Sequence, residues 1–190
     1  MAGPLQIEHL ELALDPEAPF HLNFARAQAE IIALLTNALL DADRSMDPLG
    51  VPGLPDARGE VALAVRAISL CGHVQLRGTL AVLAHAARSP RPALREAAAA
   101  ALEFRDDDRP ELLASLLDDT DVRVKARALA VLAHRPVRRR VRHLAALKRL
   151  RADPDPRVRH IARGVGVLRR RAASTSPRGH AQAQPLQRTM

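Results

Sequence analysis

Few groupings in this chain have the residue types and spacing to do chemistry, and each has a plainer structural reading. Cys71 lies two residues from His73, a nucleophile beside a base. Residues two apart on a helix do not face one another. Cys71 also continues the apolar stripe of Val61, Ala64, Val65 and Ile68, so its thiol is expected to be a small buried hydrophobe. Eight histidines raise the question of a metal, but no His-Glu-x-x-His spacing occurs. His134, His143 and His160 fall in separate helices or turns, and neither metal nor cofactor is expected. Asp106, Asp107, Asp108 and Glu111 carry the charge for a hard cation. The same residues suit an interhelix turn and the first turn of a helix opened by Pro110. What is left is arginine, 27 residues against two lysines, and its guanidinium suits carboxylate and phosphate alike.

That charge is unevenly placed. Residues 1–60 hold ten acids and three bases, and residues 61–120 hold eight and seven. Residues 121–190 hold three acids and nineteen bases. An acidic front and a basic back predict an anionic partner for the C-terminal third, or two ends of the molecule that attract each other. The chain has no Trp or Tyr and three Phe, which argues against modules that stack bases or sugars on aromatic platforms. A single cysteine excludes an internal disulfide and a cysteine-based zinc finger. The N-terminus lacks a basic and apolar leader, and no apolar run approaches the ~20 residues of a membrane span. A cytoplasmic protein without membrane contact is expected.

The elements that must position these arginines read mainly as helices. Residues 1–20 are expected to be an extended arm, because Leu10, Leu12 and Leu14 alternate before Asp15-Pro16. A helix is predicted over 21–40 from Phe24, Ala27, Ile31, Leu34 and Ala38. Residues 41–59, rich in Asp, Pro and Gly, read as a linker. From 60 to 171 helical stripes follow one another, with Gly72 as punctuation and Ser89-Pro90-Arg91-Pro92 as a break. Residues 172–190 are too poor in large apolar side chains to fold and read as a disordered basic tail.

A phrase recurs within 60–171. An acidic or Pro-rich turn precedes Leu94-Arg95, Val122-Arg123 and Val158-Arg159, anchors 28 and 36 residues apart. Ala98, Ala126 and Ala162 stand three residues after each Arg and would let neighbouring helices approach closely. Four residues after the Arg stand Ala99, Arg127 and Arg163, which predicts an arginine column on the last two copies. Lys125 and Arg157 lie beside it, and Arg138, Arg139, Arg140 and Arg142 add charge at the preceding turn. Together these eight residues are the predicted binding surface.

The phrase resembles the HEAT repeat, in the short bacterial form of the phycobilin-lyase type, over residues 74–171, about half the chain. The resemblance implies a short right-handed α-α superhelix, an all-α solenoid, with the helix at 21–40 capping one open end. It also implies that turn aspartates pair with the repeat arginine along the stack. That gives Arg123 and Arg159 a structural role, with Asp118, Asp121, Asp153 and Asp155 as partners. HEAT-like chains include bilin lyases and alkylpurine DNA glycosylases, but no residue here points to a bilin pocket, and the missing Trp and Tyr weaken the glycosylase reading. The expected function is a non-enzymatic scaffold that binds a protein with an acidic surface. Nucleic acid bound by the basic repeats and tail is the alternative.

Overall fold

Pro92 and Pro110 each stand at the first position of a helix, where the missing N–H costs nothing. Asp121 opens another, its carboxylate accepting the N–H groups of Arg123 and Val124. Such starts divide the computed structural model into short helices joined by tight turns. It describes residues 6–14, 28–44, 57–74, 76, 78–105 and 109–174, and no strand occurs among them. In chain order the helices are α1 (Ile7–Leu14), α2 (Gln28–Arg44), α3 (Ala57–His73), α4 (Thr79–Ala86) and α5 (Pro92–Ala101). They continue with α6 (Pro110–Leu117), α7 (Val122–His134), α8 (Val137–Arg140), α9 (Leu144–Leu150) and α10 (Pro156–Ser174). Single 3₁₀ turns follow α5 and α8.

The packing follows a regular order. α3 lies on α5, α5 on α7 and α7 on α10, so alternate helices form one row. The intervening helices pack beside them, α4 on α3 and α5, α6 on α7, and α9 on α10. Leu83, Leu94, Leu117, Leu129 and Leu132 are wholly buried along this row, and Ala98, Ala128 and Ala162 allow close contact between backbones. The tightest approach is at Gly72, where an added Cβ would lie 2.7 Å from the Ala101 carbonyl oxygen. Gly72 is therefore a packing residue within α3 and not the end of a helix.

The N-terminal segment departs from expectation. Residues 7–14 are helical and not extended. Ile7 and Leu10, three apart, are both buried, and Glu8 meets Arg66 of α3 at 3.3 Å. An isolated strand would have had no pairing partner, whereas a helix can lay these residues on α3. The helix predicted over 21–40 is described from Gln28 and runs on to Arg44, burying Ile31, Leu35, Leu39 and Ala42 against α3 and α4. Phe24 and Ala27, most of the predicted linker, the Asp106–Asp108 run and the tail beyond residue 174 lie outside the described residues.

Candidate functional site

Helix starts fix the register of the repeat. Arg91, Asp121 and Asp155 occupy the position before α5, α7 and α10. Three residues on stand Leu94, Val124 and Val158, all wholly buried. Four on stand Arg95, Lys125 and Arg159, and seven on Ala98, Ala128 and Ala162. The repeat therefore steps by 30 and then 34 residues. The central copy is offset by two from the register that matches Val122-Arg123 to its neighbours.

The offset exchanges two roles. Lys125, expected on the binding surface, is 8% exposed and pairs with Asp153 at 2.5 Å, a structural contact. Arg123, expected to be structural, is exposed and reaches only Asp121 beside it. On α7 the pairing along the stack is made two positions later, by Lys125, and on α5 it is made by Arg95. Arg95 grips Asp119 with both arms of its fork, Nε to Oδ2 at 2.7 Å and Nη2 to Oδ1 at 2.9 Å. Its Nη1 donates to the carbonyls of Ser89 and Pro90 in its own turn, at 2.9 and 3.1 Å. Arg159 repeats the second half of this pattern, donating through Nη1 to the carbonyls of Asp153 and Pro154, each at 2.7 Å.

The turn residues share one geometry. Asp119 Oδ1 accepts the Asp121 N–H at 2.8 Å, and Asp153 Oδ1 accepts that of Asp155 at 2.9 Å. Ser89 Oγ accepts the Arg91 N–H at 3.2 Å in the first copy and donates to Asp43 of α2 at 2.7 Å. Burial works to raise the pKa of Asp119 and Asp153. The hydrogen bonds from Arg95 and Lys125, with those from the turn N–H groups, outweigh it and hold both carboxyls below the ordinary range. Asp155 caps α10 through the Arg157 N–H at 2.7 Å. Asp118 lies outside the ladder, in an exposed pair with Arg149.

A second ladder was missed in the sequence. Arg105, 3% exposed, donates through Nη1 to the carbonyl of Cys71 at 2.7 Å and to Thr79 Oγ1 at 2.9 Å. Arg135, thirty residues later, bonds the carbonyls of Leu102 and Arg105 at the end of α5. Each arginine thus closes the carbonyl end of the preceding helix in the row. The matching Leu-x-x-Arg at the ends of α5 and α7 was the available signal.

The remaining predicted surface residues divide between places. Arg127 is exposed on α7, and Arg157 is exposed on α10 at the register position of Arg123. Arg163 is exposed too, but it matches the buried Leu129 and not Arg127. Two residues on a helix turn the side chain through ~200°, so Arg127 and Arg163 form no column. Arg138 and Arg142 are exposed, and Arg139 and Arg140 are half-buried. Arg140 bonds the Arg135 carbonyl at 2.5 Å and so helps hold the turn. Among the described residues the register thus groups Arg123 and Arg127 of α7 with Arg157 of α10 as a basic strip across two helices.

The described cysteine and the histidines named in the sequence lie apart from one another. Cys71 is wholly buried, and burial pushes its thiol up to about 12 despite the nearby Arg105 charge. His73 turns instead to Phe104, with ring centres 4.4 Å apart. His134 meets Glu103 at 2.6 Å, His143 is buried and His160 is exposed. No group of three His, Cys, Asp or Glu able to hold a metal occurs among the described residues. An open groove of about 470 Å³ lies between α4 and α6, floored by Leu80, Ala84 and Leu112 and flanked by Arg88 and Glu111. The Ser115 hydroxyl in it is bonded to the Leu112 carbonyl at 2.8 Å. No described helix is long and apolar enough to cross a membrane. No protein-family model, curated protein or solved structure matches the chain.

Proposed function

We propose that this chain is a non-enzymatic interaction module, a short HEAT-like right-handed solenoid that binds an acidic protein through its basic C-terminal helices. The observation that carries the reading is the exposed strip of Arg123, Arg127 and Arg157 on α7 and α10, beside Arg95 and Lys125, which are held in internal ion pairs. Support for the solenoid comes from the order of packing, each row helix on the next, and from contacts that recur at one register. A rigid row holds charges at fixed spacing, ~8–10 Å between helix axes, which favours a structured acidic surface over a flexible one. The single buried thiol suits a reducing cytoplasm.

Charge reversal tests the reading. The variant R127E/R157E, shown folded by circular dichroism, should lose the proteins that the wild-type chain retains from a cell extract, as quantified by mass spectrometry. Retention of the same proteins by the variant sinks the strip as the binding face. Arginine also contacts phosphate without aromatic help, so nucleic acid is the second reading. Titrations of duplex DNA at two salt concentrations separate the two. A log–log slope near one per phosphate contact favours nucleic acid, and salt-sensitive association rates with a weak equilibrium dependence favour the acidic protein.

A further inference from the structure

Arg95 and Lys125 each make a contact across to the next turn of the row, to Asp119 and Asp153. Arg159 holds the same register position on α10 and makes the same contacts to its own turn as Arg95. Those contacts orient its guanidinium as that of Arg95 is oriented. No carboxylate among the described residues meets its Nε or Nη2. Residues 156–190 contain no Asp or Glu side chain. Arg163, one turn along the same face, replaces the buried Ala99 and Leu129 of the earlier helices with an exposed cation.

We propose that the open face of α10 is a docking site for an acidic, helix-opening turn of a partner protein, with Arg159 taking the first aspartate of an Asp-x-Asp turn. The two occupied rungs define the ligand. In each, the carboxylate takes the cation through Oδ2, Arg95 also reaching Oδ1, and Oδ1 accepts the N–H two residues on, at the residue that precedes the helix. A partner that opens a helix with Asp-x-Asp reproduces both halves. Arg163 in place of Leu129 calls for a second acid about two turns into that helix, so the face discriminates against the apolar helix that would merely extend the row. Charge complementarity therefore favours an acidic partner helix over a second copy of this chain, whose described Asp-x-Asp turns before α7 and α10 are already engaged.

This proposal rests on the interaction-module reading but uses a face other than the Arg123–Arg127–Arg157 strip, so the two can fail separately. The test is fluorescence anisotropy of the full chain with a labelled helix-forming peptide that opens Asp-Pro-Asp and carries Glu two turns on. Binding should weaken ~10-fold or more for R159Q and for the peptide with Asn at its first position, and change less than ~2-fold for R127Q. R159K should recover part of the loss, since it keeps the charge without the fork. Circular dichroism and melting temperature verify that each variant folds. No binding by the wild type at millimolar peptide overturns the proposal, as does equal binding by R159Q. Tighter binding of inorganic phosphate at the same arginine overturns it in favour of a phosphate ligand. Sedimentation that shows Arg159-dependent self-association overturns it in favour of a second copy.

Discussion

Lys125 and Asp153, 28 residues apart, form an ion pair in which both side chains are almost covered, 11% and 7% exposed. Removing one partner leaves the other charge desolvated. K125A should cost about 2–4 kcal/mol, between the values for exposed and fully buried pairs. A double-mutant cycle on K125A and D153A should give a coupling above ~1 kcal/mol. The exposed Arg149–Asp118 pair should give less than ~1 kcal/mol. Urea melts of the single and double variants measure both.

The same pair makes stability depend on acid. The Asp119 and Asp153 carboxyls titrate lower in the folded chain than in the unfolded one, because their cation and N–H partners outweigh burial. A depressed carboxyl contributes stability that is complete above the unfolded value of ~3.9 and is lost as pH falls through the folded value. Unfolding free energy should therefore fall below about pH 4, and the fall should be shallower in D153N than in wild type. Equal slopes in the two proteins would remove Asp153 from the linkage.

Glycine at two helical positions should respond in opposite directions. At Gly72 a methyl group would meet the Ala101 carbonyl at 2.7 Å, a backbone atom that moves only with α5. G72A should lower stability by ~1–3 kcal/mol, which is a drop of several degrees in melting temperature for a chain of this size. At Gly164 nothing lies within 4 Å, so G164A should gain up to ~1 kcal/mol from helix propensity. Calorimetry of the two variants decides whether close approach or helix propensity governs each site.

Cys71 should be inert while the chain is folded. Its thiol is wholly buried and ionises only near about 12, so no thiolate is available at pH 8. Its reaction with a soluble disulfide reagent should be at least ~100-fold slower than in denaturant and should track the opening of α3. Rapid modification of the folded chain would contradict this packing.

The helices were readable because their apolar stripes recur at three and four residues, and the recurring phrase stood out by its acidic or Pro-rich turns. Its register was not readable from the anchor pair alone. Val122-Arg123 and Val124-Lys125 both place a β-branched residue before a cation, and two residues separate a buried ammonium from an exposed guanidinium. The Asp-x-Asp turn resolves it, since Asp119-Thr120-Asp121 and Asp153-Pro154-Asp155 align Lys125 with Arg159. Leu10, Leu12 and Leu14 misled in a similar way. Their alternation fits a strand, but Ile7 and Leu10 supply the helical spacing that α3 can bury.

Ile31, Leu35 and Leu39 are wholly or almost wholly buried where α2 meets α3 and α4. The end of α2 is also tied to the turn before α5, by Asp43 to Ser89 at 2.7 Å, Asp43 to His85 at 3.0 Å, and Arg91 Nε to the Ala42 carbonyl at 2.9 Å. Deleting residues 1–45 would expose the apolar faces of α3 and α4 and leave Ser89 and Arg91 without these partners. A row of helices with an uncovered apolar end tends to associate. The truncated chain should therefore aggregate or melt far below the full chain. L35A, which leaves the polar ties in place, should cost ~2–5 kcal/mol by the cavity it opens. Light scattering and melting curves of the two proteins provide the measurement. A monomeric truncation as stable as the full chain would show that α2 covers nothing the row requires.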